Sequence, residues 1–479
     1  MTDEVFEQRL RRDLRRLADG LVGASRPLGA APGGYRRGSA RRGRTSRGRM
    51  GRLAVAGWLA VAAALVASGV AAGQVLAPAR GGPSVGSATS ALAATAGVAA
   101  YVSGGTLYTA EPGSRPRGVA RVGDSTSAPQ WSADGAWLAY LDAGDQLHLV
   151  QADGGHPQVP LSAPVAAMTW SPAADLLAVV VSGGPQEGDL LLVPVSGSGA
   201  ETPQVLATDV ASFVWSPGGD HIAVSRAGTG VQPDRLTVVD VVTGAVQDLP
   251  YQAPPGDGVL LASWWPDSQG LLLWLEPGRS LAAEATGLPL VTVPLTAVAG
   301  TTLARTFVYL PWLVWAPNGS RLALVEMTRS FPWQGSRVAV CRPSPGTCRP
   351  LPQPAGTVSL DPTWSPDGRQ LAVVRAPVLA SGAPGPGLDA WYAQRRLWVV
   401  DPAGTAARPV AGAPSGAAEP RFGPGGTSLT VVTANAVVEV ATKGGKATVL
   451  AGGLSGALDT AGPDGYGKLP WGGTVVWGP

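Results

Sequence analysis

The chain has 479 residues with 66 Gly, 44 Pro and 16 Trp but only 14% charged residues, a balance that suits a turn-rich all-β protein with aromatic anchors. Its formal charge of +3 is unevenly spread, because residues 1–52 hold 14 Arg against five acidic residues and leave the remainder net acidic. The split excludes an evenly basic protein and points to two compartments or two partners.

Residues 3–22 place Phe6, Leu10, Leu14, Leu17 and Leu21 on one helical stripe, with Arg9, Arg11, Arg12, Arg15 and Arg16 around it. This predicts a basic amphipathic helix that lies on an anionic membrane surface, docks on a cytoplasmic partner, or stands solvated with neither. Residues 23–52 combine Gly, Ser, Pro and Arg without an acid, a composition that predicts disorder. With Tyr35 as its one aromatic and no reading module, the basic stretch points away from nucleic acid and toward topogenic charge and lipid contact.

Residues 53–76 carry no charge and are long enough to cross a bilayer core as one helix. Nine Arg in the 27 residues before Leu53 put the N-terminus in the cytoplasm. A signal peptide cleaved near Val70-Ala71-Ala72 is the rival, but the 52-residue leader and the long apolar run favour a retained anchor. No Cys lies near the end of the span, which excludes a lipoprotein modification. Residues 77–96 read as a flexible linker, and residues 97–479 as an extracytoplasmic domain.

That domain is organised by a repeat, sharpest at residues 361–375. A strand ends in Trp364, Ser365-Pro366-Asp367-Gly368 makes a tight turn, and a second, wholly apolar strand follows. The unit recurs at Trp131, Trp170, Trp215, Trp264, Trp315, Trp364 and Phe422, at intervals of 39, 45, 49, 51, 49 and 58 residues. A period of that size, with a turn and several short strands per unit, predicts a β-propeller. Third strands are expected at 147–150, 190–195, 236–240, 338–341, 397–401 and 437–440, and fourth strands at 205–207, 246–249, 348–351, 409–411 and 448–451. Residues 97–120 hold three strands without an anchor, whereas Trp477 is an anchor with no strands after it. Joined, they make one further blade, so eight four-stranded blades are expected, with seven as the alternative if Phe422 or Trp477 is not a true anchor.

The Trp-Ser-Pro-Asp-Gly-x-x-Leu-Ala pattern resembles the TolB-like, WD-repeat-like propeller family over about residues 97–479. It is sharp at Trp131, Trp215, Trp315 and Trp364, looser at Trp170, where Ala173-Ala174 replace Asp-Gly, and loosest at Phe422. The resemblance implies the fold and leaves function open, because propellers host enzymes, scaffolds and receptors alike.

Chemistry is sparse. The three His, His148, His156 and His221, lack metal-ligand spacing, and the repeats contain neither a Gly-x-Ser-x-Gly elbow nor a phosphate loop leading into a helix. Asp267 and Asp367 read as turn formers. Cys341 and Cys348 face each other across a predicted hairpin, where an oxidising compartment permits a disulfide; two free thiols are the alternative. No cofactor and no metal site is expected. The long loops at 275–287, 326–336 and 376–395, with the connection before Trp315, carry Trp312, Phe331, Trp333, Trp391 and Tyr392. Those five aromatics are either a contact surface for a protein or glycan, or lids folded over the blade edges.

The sequence therefore predicts a non-enzymatic, single-pass protein of the cell membrane. Its extracytoplasmic propeller would be a binding scaffold or sensor of the cell envelope, with an envelope or membrane protein as partner. One alternative resembles transmembrane anti-sigma regulators, residues 3–22 gripping a cytoplasmic factor, although the absence of Cys and His in residues 1–52 rules out a zinc-binding form. The other is a hydrolase or lyase of envelope polymers that uses acids lining the propeller channel.

Overall fold

The computed structural model describes residues 98–478 apart from 112–113, 124–127, 183–187, 229–231, 280–286, 330, 380–386 and 453–474. The chain divides into two units, Met1–Arg49 and Met50–Pro479, and every described residue belongs to the second. The expected basic helix, membrane span and linker lie outside the described residues. Among the described residues, no helix is long and apolar enough to cross a membrane.

The described chain is nearly all β, arranged as successive antiparallel sheets consistent with a β-propeller. Each sheet begins on an anchor strand and runs outward in chain order. The Trp215 sheet, for example, is Ser212–Trp215, His221–Arg226, Arg235–Asp240 and Val246–Asp248. The Trp364 sheet is Thr357–Trp364, Leu371–Pro377, Arg396–Val400 and Ala407–Pro409, and the Phe422 sheet is Ala418–Phe422, Ser428–Val432, Ala436–Ala441 and Thr448–Gly452. The Trp264 and Trp315 sheets fuse into one eight-stranded sheet through a single pairing of Thr306 with Glu326.

The two ends of the described chain share a sheet. Val475–Trp477 pairs with Ala99–Ser103, which pairs with Thr106–Ala110 and then Arg117–Arg121. The joining of the ends expected from the sequence is therefore present. The Trp131 sheet departs from expectation in having three strands, Gln130–Trp131, Trp137–Leu141 and Leu147–Gln151. A fourth strand is reduced to one bridge, Leu149 with Gln158, because Gly154-Gly155 turns the chain and Pro157 and Pro160 have no N–H to give a ladder.

The apolar strands lack the alternation of a half-exposed sheet because both faces are covered. Leu177 and Val179 pack with Trp137, Leu147 and Leu149 of the preceding sheet. Leu271 and Leu273 meet Ala223, Leu236 and Val238, and Leu429 and Val431 meet Leu397 and Val399. Tyr101 and Val475 pack on Val432 and Val437, while Leu107 and Val476 pack on Leu138 and Tyr140. Each such side chain contributes on the order of 2 kcal/mol by leaving water.

The anchors do more than fill space. Trp131, Trp170, Trp215, Trp264 and Trp364 each donate the indole N–H to the carbonyl one residue before the preceding anchor. The acceptors are Val476 (3.3 Å), Gln130 (3.1 Å), Thr169 (3.2 Å), Val214 (3.0 Å) and Val314 (2.9 Å). Trp315 reaches the same position in the preceding sheet but bonds the Ser263 hydroxyl, at 3.3 Å. Phe422 carries no such donor. At these six anchors Trp thus serves as a ring with an N–H at its far end, stitching one first strand to the next.

The turns repeat as closely. Ser365 Oγ donates to Asp367 Oδ1 at 2.6 Å and accepts from the Gln370 N–H at 2.9 Å, and Gly368 at φ 67° closes the turn by donating to the Ser365 carbonyl. Ser132–Asp134 and Ser216–Asp220 use the same hydroxyl-to-carboxylate bond. Asp267 accepts from the Gln269 N–H at 3.0 Å, so both Asp267 and Asp367 serve their turns.

Candidate functional site

Aligning the repeats on their anchors isolates the position three residues earlier. It is Ala128, Ala167, Ser212 and Leu261 in four repeats, then Trp312, Asp361 and Glu419 in three consecutive ones. Asp361 and Glu419 are non-glycine residues in the left-handed region, at φ 48° and 47°. Each precedes a proline and sits where its strand's register shifts, between Leu360 and Thr363 and between Ala418 and Arg421. Such a conformation costs on the order of 1–3 kcal/mol per residue and persists only where surroundings enforce it.

Here the surroundings are polar and buried. Trp312 Nε1 donates to Asp361 Oδ1 at 2.7 Å, and the Glu419 backbone N–H donates to Asp361 Oδ2 at 3.3 Å. The same position links another pair of sheets, where the Leu261 N–H donates to Ser212 Oγ at 3.0 Å. This position thus coincides with a bulge at Asp361 and Glu419, and in three consecutive repeats it carries a strong polar or aromatic group.

Arg395 and Tyr309, each from a connection between strands, feel the charge of both acids. Arg395, immediately before the third strand of the Trp364 sheet, is fully buried, with its guanidinium 4.9 Å from the Tyr392 ring centre. Burial pulls its pKa down, while the charges of Asp361 and Glu419 and the nearby Tyr392 and Tyr309 hold it up. It therefore stays a cation. Tyr309, in the connection leading to Trp315, is 5% exposed and meets Trp312 edge-on at 5.3 Å. Burial pushes its phenol well above the usual range, with Glu419 and Asp361 adding to the shift and Arg395 opposing it. The Tyr309 hydroxyl has no hydrogen-bond partner among the described residues.

The five loop aromatics occupy this end of the sheets, but as packing. Trp312 and Trp391 are 1% exposed, and Phe331, Trp333 and Tyr392 lie between 5% and 8%. A presented aromatic surface is thus not what the structure shows. Phe331 stacks on Trp333 at 4.9 Å, Trp391 donates to the Pro377 carbonyl at 2.6 Å, and the Leu379 N–H donates to the Trp333 carbonyl at 2.9 Å. Long loops at a sheet end expose backbone and apolar edges, and their own aromatics are the nearest cover. The helix Gly387–Tyr392, not foreseen as a helix, delivers Trp391 and Tyr392 to that task.

The residues singled out from the sequence did not include Tyr309, Asp361, Arg395 or Glu419. The signal was available for the two acids, since the anchor alignment shows them where other repeats carry small or apolar residues. Cys341 and Cys348 are joined in the hairpin of the Trp315 sheet. Among the described residues, no group of three or more His, Cys, Asp or Glu is disposed to hold a metal ion.

Both Asp361 oxygens accept hydrogen bonds, the buried Arg395 guanidinium feels the Asp361 charge, and the unmatched Tyr309 hydroxyl is a phenol that can donate or accept.

No protein-family model and no curated protein matches the chain. Among solved structures it is similar to TolB from Acinetobacter baumannii at 18% identity, covering 57% of this chain and 63% of that one, with a TM-score of 0.33. A putative dipeptidyl aminopeptidase IV from Bacteroides ovatus is similar at 11% identity over 74% of this chain and 58% of that one, with a TM-score of 0.45. An oligogalacturonate lyase in complex with manganese is similar at 15% identity over 75% and 85%, with a TM-score of 0.40. The chain thus spans less than two-thirds of the TolB and aminopeptidase chains. At such identities their activities do not transfer.

Proposed function

We propose that the chain is a non-enzymatic, membrane-anchored, eight-bladed propeller of TolB-like type that binds a protein of the cell envelope at the end of the sheets carrying Tyr309, Asp361 and Glu419. The observation that carries this reading is the pair of strained acids beside a buried, unmatched phenol, on three successive repeats and at one end of their strands. Strain and an unmet hydrogen-bonding group at one place mark a site kept for something other than stability. The uncharged stretch 53–76 and its Arg-rich flank support the anchor and the extracytoplasmic placement. Anchors at Trp131 through Phe422, with the shared sheet of the chain ends, support eight blades.

The stripe at residues 3–22 favours a second reading, in which the same protein also grips a cytoplasmic factor as an anti-sigma-like regulator does. A hydrolase or lyase would recruit Asp361 and Glu419 as its acids, and there both Asp361 oxygens are already engaged, one by Trp312 Nε1 and one by the Glu419 N–H.

Photo-crosslinking from membranes tests the proposal, with Tyr309→Phe compared against the parent chain. The substitution removes one hydroxyl from a site where that hydroxyl bonds nothing in the protein, so the fold keeps or slightly gains stability. Capture of the envelope partner should fall at an unchanged or higher Tm. Equal capture by parent and variant overturns the assignment of this site.

A further inference from the structure

Trp477 is the seventh Trp anchor, yet its indole N–H makes no hydrogen bond among the described residues. The carbonyl it would reach by the rule of the other anchors, that of Arg421, accepts the Thr430 hydroxyl at 3.3 Å instead. Over the Trp477 ring lies the Arg421 guanidinium, 5.7 Å from the ring centre. We propose that this seam, between the Phe422 sheet and the sheet of the chain ends, is an oxyanion site, in which a carboxylate or phosphate group bridges the Arg421 guanidinium and the Trp477 N–H. The inference stands apart from the reading of the Tyr309 site.

Arg421 sits one residue before its anchor, a position from which side chains reach the following sheet. Gln130 there donates to the Met168 carbonyl at 2.8 Å, and Ser263 accepts from the Trp315 indole at 3.3 Å. Arg421 has no such match. A guanidinium carries five N–H groups, and none of those of Arg421 meets an acceptor among the described residues. Nη1 is sealed from water, whereas Nε, Nη2 and the Trp477 N–H keep access to it. The donors are therefore partly desolvated and still reachable.

Nor does a counter-charge answer the cation. Burial pulls the Arg421 pKa down, and no carboxylate opposes that pull. The buried Arg395 has Asp361 and Glu419 to hold it up, and Arg337 is paired with Glu326 through two bonds of 2.7 and 3.0 Å. Glu439 shares the row of Arg421 across its sheet, but Thr430 stands between them. A desolvated cation without a counter-charge is costly, and an anion brought from outside removes that cost. The donor set also selects the anion. A guanidinium offers parallel N–H pairs that match two oxygens of one group, and the indole adds a further donor beside them. A carboxylate or phosphate satisfies both, whereas chloride cannot fill the fork and a neutral carbonyl leaves the charge unanswered.

The test uses the full chain in detergent micelles, isotope-labelled at Trp indole and Arg side-chain nitrogens. Sodium acetate, sodium phosphate and sodium chloride are titrated separately and compared at equal ionic strength. Either oxyanion should shift the Trp477 and Arg421 signals and leave those of Trp264 and Trp364, already bonded to carbonyls, in place. A shift with acetate alone assigns a carboxylate, one with phosphate alone a phosphoryl group, and one with both the shared oxyanion chemistry. Arg421→Lys keeps the charge and loses the fork, so binding should weaken about tenfold. Arg421→Met should abolish it. Met also removes the unanswered charge, so in chloride its Tm should match or exceed that of the parent, and only the parent should gain Tm as oxyanion is added. A Trp477 signal unmoved by both oxyanions, an equal response to chloride, or an equal gain in Tm by Arg421→Met overturns the inference.

Discussion

Replacing Trp364 tests whether the indole bonds between sheets hold the domain together. Trp364 is 6% exposed, donates to the Val314 carbonyl at 2.9 Å and carries the Arg321 guanidinium 4.8 Å above its ring. An isostere with sulfur in place of the indole N–H, 3-benzothienylalanine, keeps the shape and deletes only the donor. It loses a bond with a net value of about 1 kcal/mol and leaves a partly buried carbonyl unmatched, for a total of about 1–2 kcal/mol. Trp364→Phe also removes a fused ring from a packed site, adding about 1–2 kcal/mol, and weakens the cation–π contact. With an unfolding entropy of about 2.1 cal/mol/K per residue over roughly 380 residues, Phe should lower Tm by about 3–5 °C and the isostere by about half that. Urea unfolding followed by far-UV circular dichroism supplies the free energies, and the thermal melt supplies the check. An isostere within about 0.3 kcal/mol of the parent would show that Trp is kept here for its bulk alone, and the stitching argument would fail.

Asp175 offers a second test, through pH. Burial and the neighbouring charge of Asp134 raise its pKa. A raised acid contributes stability that is fully present below its unfolded value of about 3.9 and lost as pH rises through the folded value. Asp175→Asn should therefore be more stable than the parent at neutral pH, with the advantage vanishing below about pH 4, and an advantage constant with pH would contradict the assignment. Gly368 and Gly219 make a matched pair for the turns. Both have positive φ, 67° and 72°, but a Cβ at Gly368 meets nothing closer than 3.7 Å, while one at Gly219 comes within 2.6 Å of Ser171 Oγ. Gly368→Ala should cost about 1 kcal/mol from backbone alone and Gly219→Ala clearly more, and equal losses in urea melts would discount the contact.

The repeat was legible because one physical requirement recurs. An anchor must span the gap to the preceding sheet and the turn after it must reverse in four residues, so Trp recurs at regular spacing, followed by Ser-x-x-Gly after Trp131, Trp215 and Trp364. The joining of the chain ends followed from the same pattern, as strands lacking an anchor and an anchor lacking strands. The missing strand after Gln151 was a misjudged case, because the count of four per sheet was extended past Pro157 and Pro160. Asp361 and Glu419 were hidden for a different reason. Periodicity shows what all repeats share, whereas a site lies where a few depart, and Arg395 and Tyr309 come from connections with no period at all. Burial of Trp312, Phe331, Trp333, Trp391 and Tyr392 could not be read from their positions, since a loop aromatic serves equally as bait or as cover.

The shared sheet of the chain ends also sets a clock. Ala99–Ser103 keeps one edge unpaired until Val475–Trp477 arrives, almost 380 residues later in the chain. At synthesis rates of about 5–20 residues per second that wait lasts about 20–75 s, against microseconds for a local hairpin. During the interval the emerging domain presents an open strand edge to every neighbouring chain, including copies of its own carboxy-terminal strand. The cell must either guard that edge or deliver the last strand before another takes its place.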